Sequence, residues 1–182
     1  MEKLHLKQLK NLISLGVDHI DFSVNPITEA LLTRKAFEEV GIPALPMHLA
    51  LFSIPTRIAL LFGINLIIWG ENSAYEYGGE KDFAQSEILS REWLKQYGVS
   101  GGTFGDDWID DELSREDLAA YIFPSDEELV NADLKSLFLG MYYKWTPYES
   151  LRVAKEHGFM ELEEPIVGKY NFADIDEGFI MT

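Results

Sequence analysis

The 182-residue sequence contains no cysteine. Disulfide bonds, thiolate metal sites and a cysteine nucleophile are therefore excluded. Basic residues are also scarce, because 15 lysines and arginines stand against 31 aspartates and glutamates, which gives a formal net charge of −16. A charge of this sign repels a phosphate backbone, and no basic stripe offsets it. We therefore expect no nucleic-acid partner.

An uninterrupted membrane-spanning run is missing as well. The most apolar stretch, residues 44–69, is broken by Pro46, His48, Pro55 and Arg57, whereas a membrane span needs about 20 predominantly apolar residues. We interpret this stretch as a buried helix followed by a buried strand. The N-terminal segment is charged and has no apolar signal core. These patterns favour a soluble cytoplasmic protein with no membrane partner.

The residues that are present have the composition of a globular α/β protein, with 47% hydrophobic and 13% aromatic side chains. Apolar periodicity and cap residues predict helices over residues 3–15, 26–40, 46–62, 90–97 and 115–121, and further helices starting at 126 and 147. Short apolar runs predict strands over residues 17–22, 66–69 and 137–143. Strands separated by helices favour a parallel sheet covered on both faces.

The most informative stretch follows the predicted strand at residues 66–69. The apolar run gives way at once to Gly70, Glu71 and Asn72, and then to Glu76 and Tyr77. In an open α/β sheet, ligands bind beyond the carboxyl ends of the strands. Residues 70–79 are therefore the first candidate for a site loop.

Several segments resemble the N-acetyl sugar amidotransferase family of bacterial surface-polysaccharide biosynthesis, a branch of the PP-loop ATP pyrophosphatases. The most specific are IIWGENSAYEYGG at residues 67–79 and LFLGMYYKW at residues 137–145. LGVDHIDFSVNP at residues 15–26, MHLALFSIPTRIA at 47–59 and VAKEHGFMELEEPIVGKYN at 153–171 match as well. The resemblance extends over nearly the whole chain.

The resemblance implies a partial doubly wound parallel sheet of the adenine nucleotide alpha hydrolase-like, PP-loop ATPase type. It implies a single α/β domain over residues 1–182 with a helical and loop insertion at 80–134. The implied reaction uses ATP and Mg²⁺ to convert the acetamido group of a sugar or nucleotide sugar into an acetamidino group. The ammonia would come from a partner glutaminase subunit.

The resemblance also suggests roles for individual residues. Glu71 and Asn72 would be catalytic, and Glu71 would hold Mg²⁺; the alternative is a solvated turn in which asparagine caps the backbone. Glu76 and Tyr77 would bind sugar hydroxyls, and a purely structural role for them is equally open.

Arg57, Gly70 and Lys144 are the candidates for binding ATP. A cation in the apolar surroundings of Arg57 needs an anion, which an ATP phosphate would supply; a buried ion pair with an acidic neighbour is the alternative. Lys144, at the end of the third predicted strand, would reach a phosphate or lie on the surface. His48 is nine residues from Arg57, about 180° away around the helix, and is expected to be a hydrogen-bonded core histidine.

The sequence departs from the family at the phosphate-binding loop. PP-loop enzymes carry an SGG-x-D-S motif, and this sequence has none. The stretch SGGTFGD at residues 100–106 looks similar, but it follows a predicted helix and lacks the closing serine. We therefore expect a truncated form of the enzyme that binds Mg-ATP weakly. The alternative is a non-catalytic subunit that binds the sugar or the glutaminase.

Overall fold

The computed structural model describes residues 2–70, 89–98, 100–143 and 146–161. The helices are α1 (Glu2–Ser14), α2 (Pro26–Val40), α3 (Leu45–Phe62), α4 (Arg91–Tyr97), α5 (Asp126–Asn131) and α6 (Pro147–Glu156). The strands are β1 (Leu66–Trp69) and β2 (Lys135–Phe138), and short 3-10 helices cover Gly105–Trp108 and Leu139–Met141. The chain divides into two compact units, one of residues 23–144 and one of residues 1–22 with 145–182.

The sheet of the larger unit consists of β1 and β2, which run parallel. Leu66 is the register partner of Lys135, and Trp69 is the register partner of Phe138. A parallel pair with helices between its strands is the α/β arrangement that the sequence predicts. Helix α3 ends at Gly63, whose left-handed backbone (φ 65°) turns the chain into β1.

Helix α2 begins and ends at the residues that the sequence predicts. The side chain of Asn25 accepts a hydrogen bond from the N–H of Ile27 at 3.0 Å, and Pro26 occupies the first helical position. Gly41 terminates the helix with φ at 73°, a conformation that glycine adopts without a steric penalty. The structure also confirms the helices predicted over residues 46–62 and 90–97, which are α3 and α4.

Helix α3 lies between two hydrophobic clusters. The first cluster joins α2 to α3 and to the chain around residues 108–122; its buried members are Leu32, Ala36, Leu45, Leu49, Trp108, Leu113, Leu118, Tyr121 and Ile122. The second joins α3 to the sheet and to α4; its buried members are Phe52, Trp69, Leu89, Trp93, Leu94, Phe123 and Phe138. Because α3 packs on both sides, burial accounts for part of its apolar composition, whereas Leu61 and Phe62 at its end are exposed.

Three predicted elements are wrong or shorter than expected. Residues 17–22 form no strand, and Val17, Ile20 and Phe22 are exposed, so the alternating pattern has no core to face. Residues 115–121 form successive turns instead of a helix, because the N–H groups of Ala119 and Tyr121 donate to carbonyls three residues back, at 3.3 and 2.8 Å. The third predicted strand ends at Phe138 and continues as the 3-10 helix.

The smaller unit pairs α1 with the end of α6. Gln8 donates through its amide to the carbonyl of Met160 at 2.7 Å, and Asn11 donates to the carbonyl of His157 at 2.6 Å. On α6, Arg152 forms ion pairs with Glu149 at 3.0 Å and with Glu156 at 2.6 Å. Side-chain amides that bond to backbone carbonyls therefore connect two segments distant in sequence.

Within the described residues, α3 is the one helix long and apolar enough to cross a membrane. Length and composition alone do not distinguish a membrane-spanning helix from the core helix of a soluble protein. Here α3 has seven buried residues: Leu45, Pro46, Leu49, Phe52, Ser53, Thr56 and Ala59.

Gly105 supplies a test of the packing. A Cβ at this position would lie 2.5 Å from the carbonyl oxygen of Tyr121 and 2.8 Å from the N–H nitrogen of Ile122. We expect Gly105→Ala to destabilise the protein by about 1–3 kcal/mol through overpacking. Gly70→Ala is the control, since a Cβ there meets no described residue within 4 Å. Urea denaturation measures both, and equal midpoints would contradict the close approach at Gly105.

A buried lysine generates a second prediction. Lys35 is bonded to Asp110 and, at 2.9 Å, to Glu112. The bond from Lys35, aided by the N–H groups of Glu112 and Leu113, lowers the pKa of Asp110 from 3.8 to about 2. Because the folded pKa is the lower one, the stabilisation is complete above pH 3.8 and disappears as the pH falls towards 2.

We expect Asp110→Asn to lower the urea midpoint at neutral pH and to flatten its pH dependence in this acidic range. Asp111→Asn is the matched control, because Asp111 is exposed. Urea midpoints across the range measure both variants. A wild-type pH dependence in Asp110→Asn would show that the pair with Lys35 contributes nothing.

Candidate functional site

The carboxyl ends of β1 and β2 lie at the same edge of the sheet, where the sequence predicts the site. The indole N–H of Trp69, the last residue of β1, donates to the hydroxyl oxygen of Ser136 in β2 at 2.6 Å, which joins the two strands. Gly70 follows directly and is exposed. The other predicted residues of this edge, Glu71, Asn72, Glu76, Tyr77 and Lys144, lie outside the described residues.

Arg57 is half-buried on α3. Its Nε donates to the carbonyl oxygen of Ile122 at 2.6 Å. No carboxylate oxygen of the described residues lies within 4.0 Å of a guanidinium nitrogen of Arg57. The alternative of a buried ion pair is therefore not found in this part of the chain. The guanidinium is therefore held by a peptide group.

Arg57 lines an open cleft of about 250 Å³ that contains two further arginines. We call it the arginine cleft. Its charged residues come from α3, α4, α5 and the chain around residues 106–115: they are Arg57, Arg91, Arg115, Asp106, Asp126 and Glu128. Of the five arginines in the sequence, three line this cleft.

Arg91, the first residue of α4, is fixed by three contacts. Its Nη1 donates to the carbonyl oxygen of Phe123 at 3.2 Å and to that of Pro124 at 3.1 Å. Its Cζ lies 4.0 Å from the centre of the Phe104 ring, a cation–π geometry. These contacts hold the guanidinium beside the cleft without neutralising its charge.

The carboxylates of the cleft differ in their partners. Asp106 accepts a hydrogen bond from Arg115 at 2.8 Å. Glu128 accepts from the N–H and the hydroxyl of Ser125, both at 2.8 Å. The Ser125 bonds, with smaller contributions from the charges of Arg57 and Arg115, lower the pKa of Glu128. At neutral pH the cleft therefore combines guanidinium donors with carboxylate acceptors.

His48 lies apart from Arg57, as the helical spacing predicts. Its Nδ1 is 2.9 Å from the carbonyl oxygen of Ala44, and it lines a different, largely apolar cavity with Phe52 and Tyr121. Burial, together with the charge of Glu29, raises the pKa of Tyr121 to about 12. The Tyr121 hydroxyl is buried, and no residue of the described ranges pairs with it.

The loop at residues 100–105 uses two of its N–H groups internally. It follows α4, as expected, and the N–H and hydroxyl of Thr103 both donate to the carbonyl oxygen of Ser100, at 3.2 and 2.8 Å. The N–H of Phe104 donates to Asp107 at 2.8 Å. Neither of these N–H groups is therefore available to a phosphate.

Among the residues described, no group of three or more histidine, aspartate or glutamate side chains could hold a metal ion. Asp106, Asp126 and Glu128 of the arginine cleft therefore do not form a magnesium site. Mg²⁺ binding at Glu71 stays a prediction.

Arg91 and Arg115 were not predicted as site residues from the sequence, although the position of Arg91 in its helix is unusual for a cation. Arg91 follows the helix-capping Ser90, and the positive end of the helix dipole disfavours a cation in the first turn. A cation at this position indicates that tertiary contacts hold it there. Arg115 follows Ser114 in a turn, where no comparable signal exists.

A scan against protein-family models and a search of curated proteins each found no match to this chain.

The hydrogen bond between Trp69 and Ser136 can be tested by a double-mutant cycle. Ser136→Ala leaves the indole N–H of buried Trp69 without its partner, so we expect a loss of about 1–3 kcal/mol of stability. In a Trp69→Phe background, which has no donor, the same change should cost about 1 kcal/mol less. Denaturant unfolding of the four proteins gives the coupling energy. A coupling near zero would exclude a stabilising bond.

Proposed function

We propose that this chain is an ATP-dependent N-acetyl sugar amidotransferase of the PP-loop type, acting in the cytoplasm. One observation carries the proposal. The two most specific motif segments, WGEN from Trp69 and FLG-x-Y-x-x-W from Phe138, begin at residues that are register partners at the ends of parallel strands. Both motifs therefore continue from the same edge of the sheet, the edge where α/β proteins bind ligands.

The proposed fold extends the two described strands into a larger doubly wound parallel sheet. Parallel sheets are usually covered on both faces by helices. The side chains on the outward face of β1 support such a cover. Leu66 and Ile68, on the face away from Trp69, are 45% and 56% exposed. Apolar residues at alternate positions on a strand favour a further layer over this face.

The proposed reaction activates a poor electrophile. The acetamido oxygen attacks the α-phosphorus of ATP, an O–P bond forms, and the bond to the departing pyrophosphate breaks. The nitrogen loses its proton, which leaves an adenylylated imidate. Ammonia then adds to the imidate carbon, the C–O bond breaks, and AMP leaves with the former acetamido oxygen. The energy of ATP thereby makes an amide oxygen a leaving group.

In this proposal the loop after β1 carries the chemistry. Glu71 and Asn72 act on the acetamido group, and Glu71 also holds Mg²⁺. Glu76 and Tyr77 bind sugar hydroxyls. Gly70 and Lys144 bind the phosphates of ATP, and Arg57 binds a phosphate from its position in the arginine cleft. A glutaminase subunit supplies ammonia.

The activity can be assayed without the partner, because ammonium chloride replaces the glutaminase. The full chain is incubated with Mg-ATP, ammonium chloride and a panel of nucleotide-linked N-acetyl sugars, one of which carries heavy oxygen in its acetamido group. Mass spectrometry should find an acetamidino product and AMP that contains the heavy oxygen. Glu71→Gln should reduce the rate at least about tenfold, whereas Glu92→Gln, on the exposed face of α4, should not.

The outcomes separate the enzyme from the binding subunit. AMP that lacks the heavy oxygen would contradict attack by the acetamido oxygen. Sugar binding without turnover, in the presence of ammonia and Mg-ATP, would favour the non-catalytic subunit that the sequence leaves open.

A further inference from the structure

We propose that the arginine cleft binds the phosphate ester of a hydroxyl-bearing ring, with Arg57, Arg91 and Arg115 on the phosphate and Asp126 and Glu128 on the ring hydroxyls. This chemistry is shared by a sugar phosphate and by the ribose phosphate of a nucleotide. It deepens the proposed function and rests on it only for the expectation that the ring is an acetamido sugar. The phosphate is inferred from the arginines alone.

The first argument is charge pairing. The sequence has 31 acidic residues for 15 basic ones, so partners for an arginine are abundant. Arg34, Arg115 and Arg152 each have a carboxylate, at 3.6, 2.8 and 2.6 Å. Neither Arg57 nor Arg91 has one within 4.0 Å in the part of the chain that the structure describes. These two arginines, which have no carboxylate partner among the described residues, line the same cleft.

The second argument concerns the donors that remain. Arg57 uses only Nε, for the carbonyl of Ile122. Arg91 uses only Nη1, for the carbonyls of Phe123 and Pro124. Both terminal nitrogens of Arg57 therefore have no hydrogen bond to the described residues. The same holds for Nε and Nη2 of Arg91. A guanidinium held at one nitrogen is preorganised to bind an anion through the others.

The third argument is the mixture of charges. Three arginines and three carboxylates line the cleft, so it offers hydrogen-bond donors and acceptors side by side. Asp126 makes no hydrogen bond to any described residue, and among the described residues the Glu128 carboxylate is bonded to Ser125 alone. Carboxylates accept hydrogen bonds from hydroxyl groups. A ligand that carries one phosphate and several hydroxyls therefore suits this lining better than a bare anion does.

A protection experiment tests the site with the unmodified full chain. Phenylglyoxal modifies accessible guanidinium groups, and peptide mass spectrometry reports each of the five arginines separately. N-acetylglucosamine 1-phosphate should slow the modification of Arg57 and Arg91 at least about threefold, the protection expected when the ligand occupies most of the cleft. Arg34 and Arg152, which are exposed and lie outside the cleft, are the internal controls and should react at an unchanged rate.

Variants test the same site by affinity. Isothermal titration with N-acetylglucosamine 1-phosphate should give at least about tenfold weaker binding for Arg91→Gln and for Arg115→Gln, because each loses a charge-assisted bond. Arg34→Gln is the matched control and should bind like the wild type. Arg115 is exposed and bonded only to Asp106, so its variant tests the proposal even if Arg91→Gln does not fold.

Further ligands identify the ring. Unphosphorylated N-acetylglucosamine should bind at least about tenfold more weakly than its phosphate, and inorganic phosphate should also bind more weakly. Tighter binding of AMP than of the sugar phosphate would assign the cleft to the nucleotide and retain the phosphate site. Equal protection of all five arginines, or equal losses in Arg34→Gln and Arg115→Gln, would overturn the proposal.

These measurements need no turnover. Binding at the cleft together with failure of the amidation assay would reject the enzymatic function and keep the site. Amidation activity that Arg91→Gln and Arg115→Gln leave unchanged would keep the function and reject the site.

Discussion

The packing of the larger unit depends on side chains that donate hydrogen bonds to the carbonyl groups of residues 120–124. This segment belongs to neither a helix nor the sheet, so its buried carbonyls need partners from elsewhere. Ser53 donates to Ala120 and Arg57 to Ile122 from α3, while Arg91 donates to Phe123 and Pro124 from α4. Two helices are thereby joined through one short segment.

This segment also connects the two hydrophobic clusters. Tyr121 and Ile122 belong to the cluster shared with α2, whereas Phe123 belongs to the cluster shared with β1 and α4. One short stretch therefore contributes side chains to both cores. The hydrogen bonds from Ser53 and Arg57 attach this stretch to α3.

The sequence predicts elements whose ends are determined locally and fails where tertiary packing decides. Asn25, Gly41 and Gly63 mark helix ends through their own backbone and side-chain chemistry, and these ends are confirmed. The alternating residues 17–22 resemble a strand, yet a strand needs a partner, which a local pattern cannot supply. Arg57 was recognised as a candidate from its apolar neighbours, whereas Arg91 joins it only through the fold.

Arg91 connects the packing of the core with the binding that we propose for the arginine cleft. A cation at the start of α4 opposes the helix dipole, so the carbonyls of Phe123 and Pro124 and the ring of Phe104 must outweigh that cost. The groups that hold Arg91 also border the second cluster through Phe104 and Phe123. A ligand that binds the remaining guanidinium N–H groups favours the folded arrangement by mass action. Occupancy of the cleft and packing of the core are therefore thermodynamically linked.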